Sequence, residues 1–169
     1  EGVPAVDPMD LPTRRSPGDE PEVRILAVAG LRPYKGLSVL VDACRRLRDE
    51  GVAFRCTIVG EGPSRRSLER QITNAGLQEW VLLAGAMTQG RVAQMLRERP
   101  IFVHPSVALP NGMMDGIPVA LMEAMAAGAP VLASRLSGIP ELIEDGVSGI
   151  LVEPGDPATL AQSIRRRLD

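Results

Sequence analysis

Residues 23–51 read VRILAVAGLRPYKGLSVLVDACRRLRDEG. Residues 23–29 form a short, mostly aliphatic run of the kind found in strands buried on both faces. Gly30 and Gly36 then bracket LRPYK, after which Leu37, Leu40, Val41, Cys44 and Leu47 recur at helical spacing until Gly51 stops them. Strand, glycine loop and amphipathic helix in that order make the repeating unit of a parallel α/β sheet.

The same alternation continues to the end of the chain. Residues 54–59, 81–84, 101–104, 131–133 and a last run near 149–152 read as further short, apolar strands. Ser64 is placed to cap a second helix with Leu68 and Ile72 inward and Gly76 closing it. Thr88 is placed to cap a third with Val92, Met95 and Leu96 inward. A fourth helix covers about 118–127 and stops at Gly128. Pro140 and Pro157 suit the first turns of two more, the last carrying Leu160, Ile164 and Leu168. Six strands and six helices in alternation predict a doubly wound, Rossmann-like parallel sheet with helices on both faces.

Length and charge agree with one such domain. The 169 residues hold 19 Lys plus Arg against 21 Asp plus Glu, a net charge of −2, and folding at this size buries roughly 69% of the chain's surface without a disulfide or metal. Residues 1–22, rich in Pro and Asp and without periodicity, read as a linker, leaving 23–169 as the domain. The near-neutral balance and a mere four aromatics (Tyr34, Phe54, Trp80, Phe102) argue against a nucleic-acid surface, which rests on phosphate neutralisation and base stacking. The Arg runs at 45–46, 65–66 and 165–167 read as solvated helix faces. No apolar stretch approaches the roughly 20 residues of a membrane span. Cys44 and Cys56 form no CxxC pair and the chain has a single histidine, so neither a zinc site nor a disulfide framework is expected. With no signal-like segment at Glu1, the reading is a soluble chain in a reducing, cytoplasmic compartment, cut from something larger.

Glycines mark the chemistry. Gly30, Gly60, Gly62 and Gly85 follow the first three strands, where an open α/β sheet places its ligand crevice, and residues 105–116 make a long patternless loop after the fourth. In GLRPYKG, Arg32 and Lys35 put positive charge beside glycines at a helix start that favours phosphate. Alone, the pair reads more readily as solvated. It is no Walker A loop, and GEGPSR at 60–65 lacks the third glycine of a dinucleotide fingerprint. The segment PVALMEAMAA, 118–127, is apolar except for Glu123, which predicts a helix buried nearly all round with one carboxylate on it. That carboxylate either bonds neighbouring backbone amides or lines the crevice, and its position favours the crevice. Asp115, eight residues earlier, is either a turn residue or a second acceptor. Two such acceptors suit a hydroxyl-rich ligand such as a sugar and a ribose. The backbone N–H groups of Gly116, Ile117 and Val119 lie between them. His104 reads as a packed or crevice-lining residue rather than a general base, and with no GxSxG elbow Ser106 is no nucleophile.

Taken together, GLRPYKG, IVGEGPSRRSLE, HPS and residues 115–156 (DGIPVALMEAMAAGAPVLASRLSGIPELIEDGVSGILVEPGD) resemble the C-terminal donor-binding domain of retaining, nucleotide-sugar-dependent glycosyltransferases of the GT-B fold, group 1 (family four). The likeness is greatest to members that build colanic acid and other exopolysaccharides. It implies an acid-x7-acid motif on Asp115 and Glu123, the first acid holding donor sugar hydroxyls and the second the ribose. Backbone amides after the first acid would touch the sugar, Lys35 would hold the diphosphate, and the base would lie near Ala86 and Met87. It further implies a nucleoside diphosphate sugar as donor, no metal or other cofactor, and an acceptor domain N-terminal to this one, through which peripheral membrane contact is open. Two departures stand out. The first acid is Asp rather than Glu, shorter by about 1.5 Å of reach, and Gly30 stands where the family has an arginine, leaving Arg32 as its substitute. A nucleotide-sugar binding module without activity, or a related epimerase or phosphorylase, remains as the alternative.

Overall fold

A computed structural model describes residues 22–167. The expected linker, apart from Glu22, and the expected contact of Leu168 lie outside the described residues. Glu22 itself accepts a hydrogen bond from Arg55 Nε at 3.1 Å.

Six strands, β1 (Val23–Val28), β2 (Phe54–Val59), β3 (Val81–Gly85), β4 (Ile101–His104), β5 (Val131–Ser134) and β6 (Ile150–Val152), form one sheet in the order β3-β2-β1-β4-β5-β6. Every pairing is parallel. This is the doubly wound arrangement, with the strand order reversing between β1 and β4, where such sheets bind ligands beyond their C-terminal ends. Helices α1 (Leu37–Asp49), α2 (Arg65–Asn74) and α6 (Pro157–Arg166) cover one face. Helices α3 (Gln89–Arg97), α4 (Val119–Ala126) and α5 (Ile139–Leu142) cover the other.

Side chains alternate between the two cores as a pleated strand requires. In β1, Ile25 and Ala27 join the α1 side while Leu26 joins the α4 side. In β4, Val103 and Phe102 divide the same way. Strands covered on both sides have no polar face, which is why they read as continuous aliphatic runs. Cys44 of α1 and Cys56 of β2 are free thiols in one core. Their mutual hydrogen bond, then burial, raises the Cys44 thiol well above its ordinary pKa, the opposite of what a reactive cysteine requires.

Two of the expectations about helices need correction. Thr88 caps α3 as expected, its Oγ1 accepting from Arg91 N at 3.2 Å. Ser64 occupies the cap position of α2 but makes no side-chain cap bond. Its backbone is helical (φ −82°, ψ −1°) instead of extended, the conformation that turns a cap side chain back onto the first-turn amides. Its own N–H donates to Leu31 O at 2.8 Å, tying α2 to the glycine loop. Helix α4 is not buried all round: Leu121 and Ala124 face the sheet, whereas Val119 is 62% and Met122 41% exposed, and Glu123 is exposed. An eight-residue helix lying on one sheet can bury one side only, so its outer apolar side chains are left uncovered. The Arg runs are exposed apart from half-buried Arg65, which bonds Glu61 and Glu69; of the exposed ones, Arg165 pairs with Glu50 and Arg45 with Asp49. No helix of the described residues is long and apolar enough to cross a membrane.

Candidate functional site

The loop after β1 makes one 3₁₀ turn at Pro33–Lys35 and enters α1 through Gly36. Gly36 has φ +67°, and a Cβ there would lie 1.8 Å from the Pro105 carbonyl oxygen. Only glycine permits both the left-handed backbone and that approach. The loop is thereby pressed against the segment after β4, where Val107 N donates to Tyr34 O at 2.9 Å. On its other side, Leu31 N donates to Glu61 O at 2.9 Å. Three strand-end loops are thus stitched together, and Lys35 emerges among them.

Lys35 Nζ lies 2.6 Å from Asp115 Oδ2. The same oxygen lies 3.0 Å from His104 Nε2. Both charged side chains are about 15% exposed (16% and 15%), and His104 is 2% exposed. Burial pushes the Asp115 carboxyl upward, but the hydrogen bonds from His104 and Lys35, with their charges, outweigh it and bring the pKa to about 2. The group is therefore a carboxylate at neutral pH, and His104 Nε2 must carry the proton it shares. Lys35 Nζ also sits 5.5 Å from the centre of the Tyr34 ring, within cation–π range.

Beside this contact opens a cleft of about 430 Å³ at the C-terminal ends of the strands, lined among others by Gly30, Lys35, Glu61, Met87, His104 and Val119. That volume falls in the range of roughly 300–1,000 Å³ common to small-molecule sites. Two smaller clefts, about 160 and 360 Å³, lie at the opposite end of the sheet, where this fold places no ligand. The described residues contain no group of three or more His, Cys, Asp or Glu able to hold a metal.

Of the residues singled out from the sequence, the fold joins Lys35 to Asp115 and puts Gly30, Met87 and Val119 on the cleft wall. Gly116 and Ile117 are exposed beside it, and their N–H groups and that of Val119 have no backbone partner among the described residues. The Ile117 side chain packs over Gly138, where a Cβ would come within 2.7 Å of it. Glu123, in the second turn of α4, is exposed and makes no side-chain hydrogen bond or ion pair to any described residue. Arg32 is exposed and lies outside the cleft lining. Two participants escaped the sequence reading. His104 was expected to pack or line, and does both, but its bond to Asp115 was not foreseen; the clue was a lone histidine closing a strand ahead of a long loop that carries an acid. Glu61 lines the cleft with no signal beyond the glycines around it. Ser106, fully buried, has a hydroxyl without a partner among the described residues.

The chain has counterparts among known proteins. The amylovoran biosynthesis glycosyltransferase AmsK of Erwinia amylovora is 46% identical over 144 residues, which is 85% of this chain and 35% of that protein. The putative colanic acid biosynthesis glycosyltransferase WcaL of Escherichia coli K12 is 46% identical over 142 residues, 84% and 35% of the two lengths. The chain thus spans about a third of the length of these relatives. Among solved structures, Anabaena Alr3699/HepE in complex with UDP-glucose superposes with a TM-score of 0.76 at 27% identity, over 88% of this chain and 39% of that one. The family model for group 1 glycosyl transferases matches residues 13–169. A doubly wound sheet with a charged cleft at its switch point, matched over nearly all of its length, makes this chain a member of the group 1 glycosyl transferases.

Proposed function

We propose that residues 23–169 form the donor-binding domain of a retaining glycosyltransferase that moves a sugar from a nucleoside diphosphate sugar to a carbohydrate or lipid-linked acceptor. The observation that carries this reading is the Lys35–Asp115 pair, 2.6 Å apart, beside the strand-end cleft. Lys35 is a long, flexible cation on the cleft wall, suited to the charge that develops on a departing diphosphate. The amides of Gly116, Ile117 and Val119, and to a lesser degree Arg32, supply further donors. Asp115 accepts from sugar hydroxyls, Glu123 from the ribose, and Gly30 lets the diphosphate approach the backbone. Met87 offers an apolar surface to the base. Leaving-group charge is assigned to these groups without a metal or other cofactor. The acceptor is assigned to a second, N-terminal domain, and the cytoplasm is the compartment in which nucleotide sugars are available.

Calorimetric titration of the chain with UDP, GDP and ADP tests the reading. One nucleotide should bind, and Lys35→Ala should weaken it roughly tenfold or more, the worth of a charge-assisted hydrogen bond. Glu123→Ala should weaken it less, since that carboxylate starts out solvated. Absence of heat with all three nucleotides sinks the site.

A further inference from the structure

Lys35 faces two anions once a donor arrives. In the free chain its ammonium is committed to Asp115 Oδ2; under the donor reading above, on which this inference rests, it turns to the diphosphate. Asp115 sits in the long segment between β4 and α4 and would lose its closest partner at the moment it has to meet the sugar. We propose that His104 is a positioning residue for the donor sugar, its Nε2–H holding Asp115 Oδ2 so that Oδ1 remains free for a sugar hydroxyl when Lys35 leaves.

Four observations support the assignment. His104 ends a strand whose four residues are all buried and is paired in register with Ala133 of β5, so its ring is anchored by the sheet while Asp115 is anchored only by its contacts. Both contacts fall on Oδ2, and Oδ1 has no partner among the described residues. His104 lines the cleft, which places the bond at the edge of the ligand space. Finally, an aspartate has one fewer rotatable bond than a glutamate, so a single fixed donor suffices to aim it.

The test uses His104→Leu, which keeps the bulk and removes the donor, and His104→Gln, whose terminal N–H falls near the Nε2 position. Affinities for UDP and UDP-glucose, for GDP and GDP-mannose, and for ADP and ADP-glucose, are measured for each. In His104→Leu the ratio of sugar-nucleotide to nucleotide affinity should fall roughly tenfold with the nucleotide itself unaffected, and His104→Gln should restore most of it. An unchanged ratio, equal weakening of nucleotide and sugar nucleotide, or a Gln variant no better than Leu overturns the proposal. The Asp115 carboxyl, followed by carbon NMR, should titrate higher in His104→Leu than in the unsubstituted chain; an unchanged titration overturns the hold itself. If none of the three nucleotide pairs binds the unsubstituted chain, the donor reading falls and takes the sugar-positioning role with it, while the carboxyl titration reports separately whether His104 holds Asp115.

Discussion

One oxygen of Asp115 accepts from both Lys35 and His104, and the consequence is measurable as a pH dependence of stability. The folded carboxyl lies near 2, below its ordinary 3.8. A depressed acid contributes stability that is fully present above the unfolded value and is lost as pH falls through the folded one. The stability difference between the unsubstituted chain and Asp115→Asn should therefore be constant above about pH 4 and shrink between about pH 4 and pH 2, as read by urea unfolding at each pH. A gap that widens on acidification would contradict the assignment. Gly36 makes a second prediction at this scale. Gly36→Ala should cost more than the roughly 1–2 kcal/mol of a left-handed residue, because its methyl would also meet the Pro105 carbonyl at 1.8 Å. Equilibrium unfolding would show the loss, and a change within about 0.5 kcal/mol, the range of an ordinary surface substitution, would mean that the loop relaxes freely.

At the level of elements, the two predicted caps separate identity from geometry. Thr88 is extended (φ −67°, ψ 155°) and its side chain bonds the α3 amide; Ser64 is helical and bonds through its backbone N–H instead. Thr88→Ala should accordingly lower stability by about 1 kcal/mol, and Ser64→Ala by less than about 0.5 kcal/mol, in the same denaturant experiment. Equal losses would show that the hydroxyl of Ser64 does cap α2. Helix α6 adds a cap that was not anticipated: Asp156 accepts from Thr159 N at 3.0 Å and from Thr159 Oγ1 at 2.6 Å. The exposed face of α4 is the other lesson of this scale. A segment apolar except for Glu123 reads as buried, but Val119 lines the cleft and Met122 is exposed on the same helix.

For the whole molecule, the cleft is open on the side away from the sheet. A group-transfer site has to exclude water to prevent hydrolysis of its donor, and the cleft beside Lys35 is open to solvent. We therefore expect the 169-residue chain to bind a nucleotide without transferring sugar. Release of nucleoside diphosphate from a donor mixed with purified chain and acceptor checks this, and sustained turnover would show that copies of the chain complete each other's sites.

The fold class, the starts of the six helices to within about two residues, and the location of the crevice were legible in the sequence because each depends on local spacing. Period two or continuous apolarity makes strands, a three-to-four spacing makes helices, and glycines at strand ends make approachable backbone. The likeness carried by GLRPYKG and residues 115–156 named Lys35, Asp115 and Glu123, but not their relations. Lys35 and Asp115 meet across 80 positions of sequence, and they do so because β1 and β4, distant along the chain, are neighbours in the sheet. The loop after β4 brings Asp115 back to His104, and Glu123 stands exposed on α4. Local periodicity determined what each segment became; the order of strands in the sheet decided which charges touch, since that order is set by the packing of all six units at once.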